Sequence, residues 1–260
     1  MKILVCVQQV PHQDARLDVN GDGTWINEDG IKFELNSYVT FALDVALRIK
    51  DAGEAVVVVV SIGPDRVTQG LRTALGMGAD RAVHVNDDSV NGSDALGIAK
   101  ILAAVAKEES PDLVLAGLMS DDGNASAVPP MVAELMGVPS ATAVMKAEAQ
   151  GDGFRCEREL EGGAYEVVDV PKPCVLAVQS GMNQVRYASL KGIMAAKKKP
   201  IDVKSAEDLG LAGQVGGGAA KASIEKIYVP AKGEGAENIE GSTDEVVTQL
   251  DAKIKELGVL

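Results

Sequence analysis

Five consecutive valines, Val56 to Val60, constrain this chain more than any other feature of its sequence. An apolar, β-branched run without polar interruption predicts a strand that is buried on both faces, as strands are in a parallel sheet. A second β-rich run, over residues 2–9, stops at the turn that Pro11 imposes. We therefore expect two buried parallel strands in the first part of the chain, over residues 2–9 and 56–62.

Helical patterns separate the predicted strands. Between the first two strands, apolar residues recur at three- and four-residue spacing, and Asn36 or Ser37 can cap the resulting helix. The alternation continues with a helix over 67–77, a strand over 81–85, a helix over 93–108, a strand over 113–116 and a helix over about 124–136. This order predicts an α/β fold with a doubly wound, mostly parallel sheet, that is, a Rossmann-like nucleotide-binding domain.

Two later regions break this alternation. Over residues 142–178 the spacing of apolar residues no longer follows the helical period. The predicted strands 154–160 and 164–170 flank Glu161-Gly162-Gly163, and this pattern predicts an antiparallel hairpin extension, 142–178, at the edge of the domain. The Gly- and Ala-rich residues 210–221 predict a flexible connection with few core residues, and 243–257 predict a helix capped by Ser242 or Thr243. We divide the chain into an α/β domain, 1–209, and a connection with a C-terminal arm, 210–260.

Charge and composition narrow the class of partners. The formal net charge of −13 at pH 7 disfavours nucleic acid, because it would repel a phosphate backbone. No apolar run approaches the roughly 20 residues that span a bilayer, and no secretory signal is visible. The cysteines Cys6, Cys156 and Cys174 lack metal-ligand spacing, so we interpret them as buried thiols in a reducing compartment. We expect a cytoplasmic protein without membrane insertion.

Small and polar residues follow three predicted strands, at 6–10, 61–64 and 117–128. In an open parallel sheet, ligands bind at the carboxyl ends of the strands. The third junction runs through Ser120 to Ala127 into a predicted helix start, whose free amides favour a phosphate. In the alternative interpretation, Asp122 or Asn124 only caps that helix and Gly117 only eases a turn. Spacing leaves both open, because the sequence has no strict phosphate-binding motif.

Residues for nucleophilic catalysis are scarce. The chain has two histidines, His12 and His84. His84 lies in a predicted strand and is interpreted as structural, whereas His12 follows the first strand and is a candidate to face a ligand. Neither a serine nucleophile elbow nor a metal-ligand spacing occurs in the sequence. We therefore predict neither catalytic residues nor a metal site.

An apolar stripe forms the last candidate site. Leu190, Ile193 and Met194 share one face of a short predicted helix that ends in the basic run 197–199. These side chains either pack inward as core or face outward as an anchor for a partner. Spacing does not decide between the two orientations.

Three segments resemble electron transfer flavoprotein beta subunits, and the resemblance covers essentially the whole chain. They are Val5-Cys6-Val7-Gln8-Gln9-Val10-Pro11, Leu71-Arg72-Thr73-Ala74-Leu75-Gly76-Met77-Gly78-Ala79-Asp80, and Arg186-Tyr187 with Gly192-Ile193-Met194-Ala195-Ala196-Lys197-Lys198-Lys199. The resemblance implies a heterodimer with an alpha subunit, one redox-active FAD held mainly by alpha, and a structural AMP in this chain. It implies an electron carrier rather than an enzyme, passing electrons from acyl-CoA dehydrogenases of fatty acid β-oxidation to a membrane quinone oxidoreductase.

Carried over position by position, the resemblance implies a cofactor pocket and a partner-binding surface. The pocket comprises Cys6, Asn36, Ser37, Tyr38, Val39, Ile62, Gly117, Asp122, Gly123, Asn124, Ala125, Ser126, Ala127 and Val128. Leu190 matches the anchoring leucine of a recognition loop at about 184–199, which includes Ile193 and Met194, so the outward orientation is expected. Glu159 matches a carboxylate near the mobile flavin domain of alpha, and the C-terminal helix is expected to pack on alpha.

One departure concerns the pocket. Many AMP-binding members have Asn-Gln-Thr-Gly where this chain has Asn124-Ala125-Ser126-Ala127, so side-chain contacts to the phosphate are reduced. Backbone amides at the helix start would still hold a phosphate. Two alternatives stay open. One is a bifurcating complex in which the pocket holds a second FAD that oxidises NADH; the other is a stand-alone nucleotide-binding regulator of similar architecture.

Overall fold

A computed structural model describes residues 1–233 and 235–259 of the chain. Strands and helices alternate along most of this length. In chain order they are β1 (Lys2–Cys6), β2 (Gln9–Pro11), β3 (Phe33–Leu35), α1 (Ser37–Ala52), β4 (Val56–Ile62), α2 (Val67–Met77), β5 (Arg81–Val85), α3 (Ala95–Glu109), β6 (Leu113–Gly117), α4 (Val128–Met136), β7 (Ser140–Gln150), β8 (Gly153–Glu159), β9 (Tyr165–Pro171), β10 (Cys174–Val178), α5 (Leu190–Ala196), β11 (Ile201–Lys204) and α6 (Thr243–Glu256).

Nine strands form one sheet in the order β11-β5-β4-β1-β6-β10-β7-β8-β9. The strands from β11 to β7 pair in parallel, and β7, β8 and β9 pair antiparallel. Because β1 lies between β4 and β6, the chain order reverses at β1, and the carboxyl ends of β1 and β6 border a crevice. The predicted doubly wound, mostly parallel α/β sheet is confirmed.

The valine run shows why the sheet is buried on both faces. Val57 and Val59 pack in one apolar cluster with residues of α1 and α2. Val58 and Val60 pack in a second cluster with residues of α3 and α4. Successive side chains of a strand point to opposite faces, so one unbroken apolar run serves both helix layers. Burial of each of these four valines contributes about 1.5–3 kcal/mol relative to exposure, whereas Val56 at the start of the run is exposed.

Side-chain caps start α1 and α6 at positions that local sequence dictates. The Asn36 side chain accepts a hydrogen bond from the Val39 amide at 3.3 Å and so caps α1. Ser242 and Glu245 form a reciprocal capping box at the start of α6. Both predicted caps are confirmed, because the groups that make a cap are three residues apart in the chain.

Two predicted boundaries are wrong. The helix expected from residue 124 begins at Val128, because Asn124 and Ser126 adopt left-handed conformations with φ of 48° and 51°. Pro129 lies in the first turn, where a missing amide is tolerated. The first strand ends at Cys6, and β2 turns away to pair with β3 in a separate two-stranded sheet.

The expected antiparallel extension over 142–178 is wrong at its end. The hairpin of β8 and β9 is present, but β10 is a fully buried parallel strand between β6 and β7. Cys174–Val178 follows the hairpin closely in the chain, but closeness in the chain does not make it a neighbour of the hairpin in the sheet. The long strand β7 joins the two parts, pairing in parallel with β10 at its start and antiparallel with β8 farther on.

The segment expected to be a flexible connection packs on the domain. Val215 is buried in the cluster of α3 and α4. The Gly216 amide donates to Ser93 Oγ at 2.8 Å, and the Gly217 amide donates to the Asn91 carbonyl at 2.9 Å. The prediction of few core contacts is therefore corrected for the first part of 210–221.

Beyond residue 222 the chain runs as an extended arm to α6, and no described residue of the arm is buried. The predicted apolar face of α6 is present and exposed. Among the described residues, no helix combines the length and apolarity that crossing a membrane requires.

Candidate functional site

A cleft of about 840 Å³ opens at the carboxyl ends of β1, β4 and β6 and is bordered by the starts of α3 and α4. This is the switch point of the sheet, where ligands bind in open α/β folds. Its volume falls in the range of about 300–1,000 Å³ that is typical of small-molecule sites. The expected pocket residues that line it are Cys6, Val39, Ile62, Gly117, Asp122, Gly123, Ala125, Ser126 and Val128.

The other expected pocket residues support the wall of the cleft. Asn36 is fully buried and caps α1, and Ser37 binds Asp121 through its amide and its hydroxyl, both at 2.8 Å. Tyr38 lies so close to Gly117 that a Cβ at Gly117 would meet the Tyr38 Cβ at 2.6 Å. Gly117 is therefore required for the close approach of β6 to α1. Asn124 and Ala127, also outside the lining, belong to the loop before α4.

The loop between β6 and α4 is held firmly at its start. Asp121 accepts both Ser37 bonds, and Asp122 accepts from the Gln8 side chain at 3.2 Å. The Gly123 amide donates to Ser120 Oγ at 3.1 Å. These bonds occupy both loop carboxylates and the first amide of α1. The α1 start is thus already capped by a carboxylate and offers little to a ligand phosphate.

The second half of the loop offers unpaired donors. The four successive amides of Ala125, Ser126, Ala127 and Val128 have no hydrogen-bond acceptor among the described residues. Left-handed conformations at Asn124 and Ser126 interrupt the chain there, and such alternation turns successive amides into an anion-binding concavity. Neither Asp122 nor Asn124 caps α4, whose start makes no side-chain cap bond. The interpretation of these residues as helix caps is therefore wrong.

Groups for acid–base or nucleophilic chemistry are not gathered in the cleft. Burial raises the pKa of Cys6 to about 12, so its thiol is neutral near pH 7. His84 is buried and contacts the Gly63 carbonyl at 2.8 Å, which confirms its structural interpretation. His12 accepts from the Asp14 amide at 3.2 Å and does not line the cleft. No group of side chains suited to hold a metal ion occurs among the residues described.

Sequence reasoning missed one whole wall of the cleft. This wall is apolar and comes from two segments that lie far apart in the chain, the loop between β2 and β3 and the arm. Its members are Leu17, Trp25, Ile26, Ile224 and Ile227. The one available signal was that the only tryptophan of the chain lies in an otherwise polar loop.

A second candidate surface lies on α5. Leu190, Ile193 and Met194 are exposed, with 77% of Leu190 accessible to solvent. The outward orientation of the apolar stripe is thus the one observed. Ser189 caps the helix by accepting from the Gly192 amide at 3.1 Å.

The segment that carries α5 is fixed at its start by a buried carboxylate. Asp44 of α1, with its side chain almost inaccessible, accepts from Arg186 Nε at 2.9 Å and also pairs with Arg48. Arg186 reaches Asp51 at 2.7 Å. A buried carboxylate is stable only when it is paired, so Asp44 binds Arg186 tightly to the domain.

The end of the same segment is fixed on α2. Arg72 donates to the carbonyls of Ala196 and Lys199 at 2.6 and 2.7 Å. In return, Lys199 donates to the Leu75 carbonyl at 3.0 Å, and desolvation lowers the pKa of Lys199. Between these ends, Gly192 packs against Gly76 so closely that a Cβ at Gly192 would meet the Gly76 carbonyl oxygen at 2.3 Å. The exposed stripe therefore stands on a rigid base.

Glu159 lies apart from both surfaces, at the end of β8. It is exposed and accepts a hydrogen bond from the Gln179 side chain at 2.9 Å. Gln179 directly follows β10, so this contact joins the hairpin to the parallel part of the sheet. The carboxylate keeps free acceptor capacity toward solvent.

Comparisons with known proteins agree with this architecture. A family profile described as "Electron transfer flavoprotein domain" matches residues 23–209. The electron transfer flavoprotein subunit beta of Methylophilus methylotrophus is 40% identical over 98% of this chain and 98% of its own length. The mitochondrial subunit beta of Arabidopsis thaliana is 41% identical over 80% of this chain and 83% of its own length. Caffeyl-CoA reductase-Etf complex subunit CarD of Acetobacterium woodii is 35% identical, with 100% of both chains covered. The chain belongs to the electron transfer flavoprotein beta-subunit family.

Proposed function

We propose that this chain is the nucleotide-binding and partner-docking subunit of a heterodimeric electron carrier. An alpha subunit holds the redox-active FAD, which supplies the electron chemistry when bound. The complex takes electrons from acyl-CoA dehydrogenases and delivers them to a membrane quinone oxidoreductase. A cytoplasmic location fits the three free thiols, which persist in reducing compartments.

The cleft carries the proposal, with AMP as its ligand. The unpaired amides of residues 125–128 fit a phosphate, because successive amides and a helix start both attract anions. Since Ala125 and Ala127 offer no polar side chain, the backbone is the main donor. Cys6, Val39 and Ile62 add apolar lining to the same cleft. No described residue of the cleft is arranged for catalysis, which suits a structural role for AMP.

Two exposed apolar surfaces fit protein partners. The stripe of α5 presents Leu190, Ile193 and Met194 on a base that is fixed at both ends, and a preordered anchor loses little entropy on binding. We assign this surface to the dehydrogenases. The face of α6 with Val247, Leu250 and Leu257 is assigned to the alpha subunit, and Glu159 to contacts with alpha's mobile flavin domain.

A second function deserves a test because the cleft is spacious. About 840 Å³ exceeds what a mononucleotide requires and would admit a dinucleotide such as FAD. The relative of 35% identity and full coverage is named as a subunit of a caffeyl-CoA reductase-Etf complex, so a chain similar to this one occurs in a complex with a reductase. In this alternative the cleft binds a second FAD that oxidises NADH.

Cofactor content separates these functions. We would co-express the chain with its alpha partner, purify the complex, denature it and quantify released FAD and AMP by chromatography. One FAD and one AMP per heterodimer is the expected result. Two FAD without AMP would favour the alternative with NADH oxidation. A stable homodimer without flavin that does not bind alpha would contradict both and favour a stand-alone regulator.

The docking surface has its own test. Leu190→Ala should lower the rate of electron transfer from an acyl-CoA dehydrogenase roughly thirtyfold when the concentration of the complex is subsaturating. This is the effect expected of an interface anchor. Flavin content should be unchanged. Val203→Ala on the edge strand β11 is the control, because Val203 is exposed to a similar degree, 64%, but lies outside the stripe. Equal transfer rates for the Leu190 variant and the wild type would contradict the anchoring role.

A further inference from the structure

Two segments outside the α/β layers meet at the mouth of the cleft. The loop between β2 and β3 folds back on itself through a bridge between Val19 and Ile26, with Trp25 in the turn. The arm passes the same turn, where the Ile227 amide donates to the Gly23 carbonyl at 2.6 Å. Trp25 and Ile227 both line the cleft. The two segments therefore build one continuous wall.

A chain of polar contacts holds the Trp25 indole in place. Its Nε1 donates to Glu28 Oε1 at 3.0 Å, and Arg66 donates to the same carboxylate at 3.1 and 3.2 Å. Arg66 also donates to Gln9 at 3.0 Å and stacks on the Phe33 ring at 3.8 Å. The side chain of Asn20 accepts from the Trp25 amide at 3.3 Å. The ring is thus ordered although 43% of Trp25 is accessible.

The arm is held against the cleft by the cap of α3. One carboxylate oxygen of Asp94 accepts from the Gly97 amide at 2.8 Å, and the other accepts from the Lys221 amide at 2.7 Å. The arm then crosses the opening and contacts the Trp25 turn. Among residues 221–230, Ile227 is the one that is half-buried; Tyr228 and Val229 next to it are exposed. The contact of Ile227 with the wall is therefore selective.

The cleft is consequently amphipathic, with unpaired amides on the loop before α4 and an apolar wall formed by Trp25, Ile224 and Ile227. A ligand that matches both carries an anionic group and a flat apolar ring. We propose that Trp25 and Ile227 are ligand-contacting residues that hold a ring of the bound nucleotide, with the arm as the cover. This inference rests on the proposed nucleotide site and adds two contacting residues, and the arm as a covering segment, to it. An ordered aromatic ring binds bases by stacking, which is worth roughly tenfold or more in affinity per base.

Nucleotide release tests the proposal in the purified heterodimer. The complex is loaded with labelled AMP, diluted into excess unlabelled AMP, and the retained label is followed with time. Trp25→Ala should speed release roughly tenfold, and Trp25→Phe, which keeps a ring, should stay within about threefold of the wild type. Ile227→Asp should also speed release. Val229→Ala is the matched control on the arm, because Val229 is 74% exposed and should not change the rate.

A spectroscopic measurement detects contact directly. Trp25 is the only tryptophan of this chain, so the emission of the wild-type heterodimer minus that of Trp25→Phe isolates its signal even if alpha contains tryptophan. Adding AMP to nucleotide-depleted complex should change this difference signal. If the complex carries FAD in the cleft instead, the same release experiment with FAD applies, and the same ranking of variants is expected.

The outcomes separate the wall from the site. If AMP dissociates from the Trp25→Ala and Ile227→Asp variants at the wild-type rate, the role of the wall is overturned and the nucleotide site stays intact. Loss of heterodimer with unchanged nucleotide release in the surviving complex would mean that the wall docks the alpha subunit, which also overturns the proposal. A wild-type complex that binds neither AMP nor FAD in this chain would overturn the nucleotide site itself.

Discussion

Large apolar side chains are mostly buried in the domain and mostly exposed in the arm. In the sheet and its helix layers, residues such as Leu4, Leu43 and Leu115 are fully buried. In the arm, residues 222–233 and 235–259, no residue is buried, and Tyr228, Val229 and Leu257 are at least 70% exposed. Both parts contain an amphipathic helix with a cap, so local sequence does not distinguish them.

The difference lies in where each apolar face finds its counterpart. α1 covers a sheet that belongs to the same chain, and its burial stabilises the domain directly. The face of α6 has no counterpart in the described part of the chain. Exposed apolar faces of this kind mark interaction sites, so we expect the arm to contribute to assembly rather than to the stability of the isolated chain.

The largest effect should come from deleting equal side chains in the two parts. Leu43→Ala removes a fully buried leucine and should lower the free energy of unfolding by about 2–5 kcal/mol, because it leaves a cavity. Leu250→Ala on α6 should change it by less than about 0.5 kcal/mol. Urea unfolding followed by circular dichroism measures both. Comparable losses of unfolding free energy would mean that α6 packs on the domain in solution. They would contradict the difference between the domain and the arm.

A smaller effect is expected when a charge is placed on the face of α6. Leu250→Asp should weaken binding of the alpha subunit by roughly tenfold or more, since it buries an unpaired carboxylate at an apolar contact. Ala252→Asp lies on the opposite face of the helix and should stay within about twofold. The affinity of each variant for the alpha subunit is measured by surface plasmon resonance or sedimentation. If both variants bind alpha as the wild type does, α6 is not part of that interface.

The smallest effect concerns acid and two carboxylates, Asp87 and Asp94, which hold the segment between β11 and the arm on the domain. Hydrogen bonds from backbone amides lower the pKa of Asp87, chiefly the bond from Ala206, and of Asp94, chiefly the bond from Gly97 and next that from Lys221. A lowered folded pKa means that stabilisation is present above the ordinary value of 3.8 and is lost as pH falls through the folded pKa.

Acid should therefore loosen this segment before it unfolds the sheet. Hydrogen exchange followed by mass spectrometry should show the amides of Ala206 and Lys221 losing protection below about pH 4, while the valines of β4 keep theirs. Asp94→Asn should already lack the protection of Lys221 at neutral pH and show no further change with acid. Simultaneous loss of protection in β4 would contradict a separate loosening of the segment between β11 and the arm.

Most elements of the fold followed from local patterns. The bounds of β4, α2 and β5 agree with those predicted, because apolar period and β-branching specify a strand or a helix within a few residues. The start of α4 did not, since Asn124 and Ser126 adopt left-handed conformations in a loop that bonds to remote residues, Gln8 and Ser37. The position of β10 also escaped, because its partners β6 and β7 lie far away in the chain.

The candidate site also contains residues that local patterns predicted and residues that they did not. Strand ends such as Cys6, Ile62 and Gly117 were found because a parallel sheet always gathers its carboxyl ends. Trp25 and Ile227 were not, since residues two hundred positions apart meet only through the bond between Gly23 and the arm. The orientation of the α5 stripe likewise depends on Asp44 and Arg72, which belong to other helices.

The sequence by itself determined the class of fold, the family and the caps of α1 and α6, because each depends on the spacing of apolar residues, on residues three positions apart or on matching segments. The tertiary structure decided which strands became neighbours, which amides stayed unpaired and which apolar faces were left uncovered. Those outcomes depend on contacts between remote segments. Their formation is governed by chain closure and by competition among all available partners, and no local pattern encodes that competition.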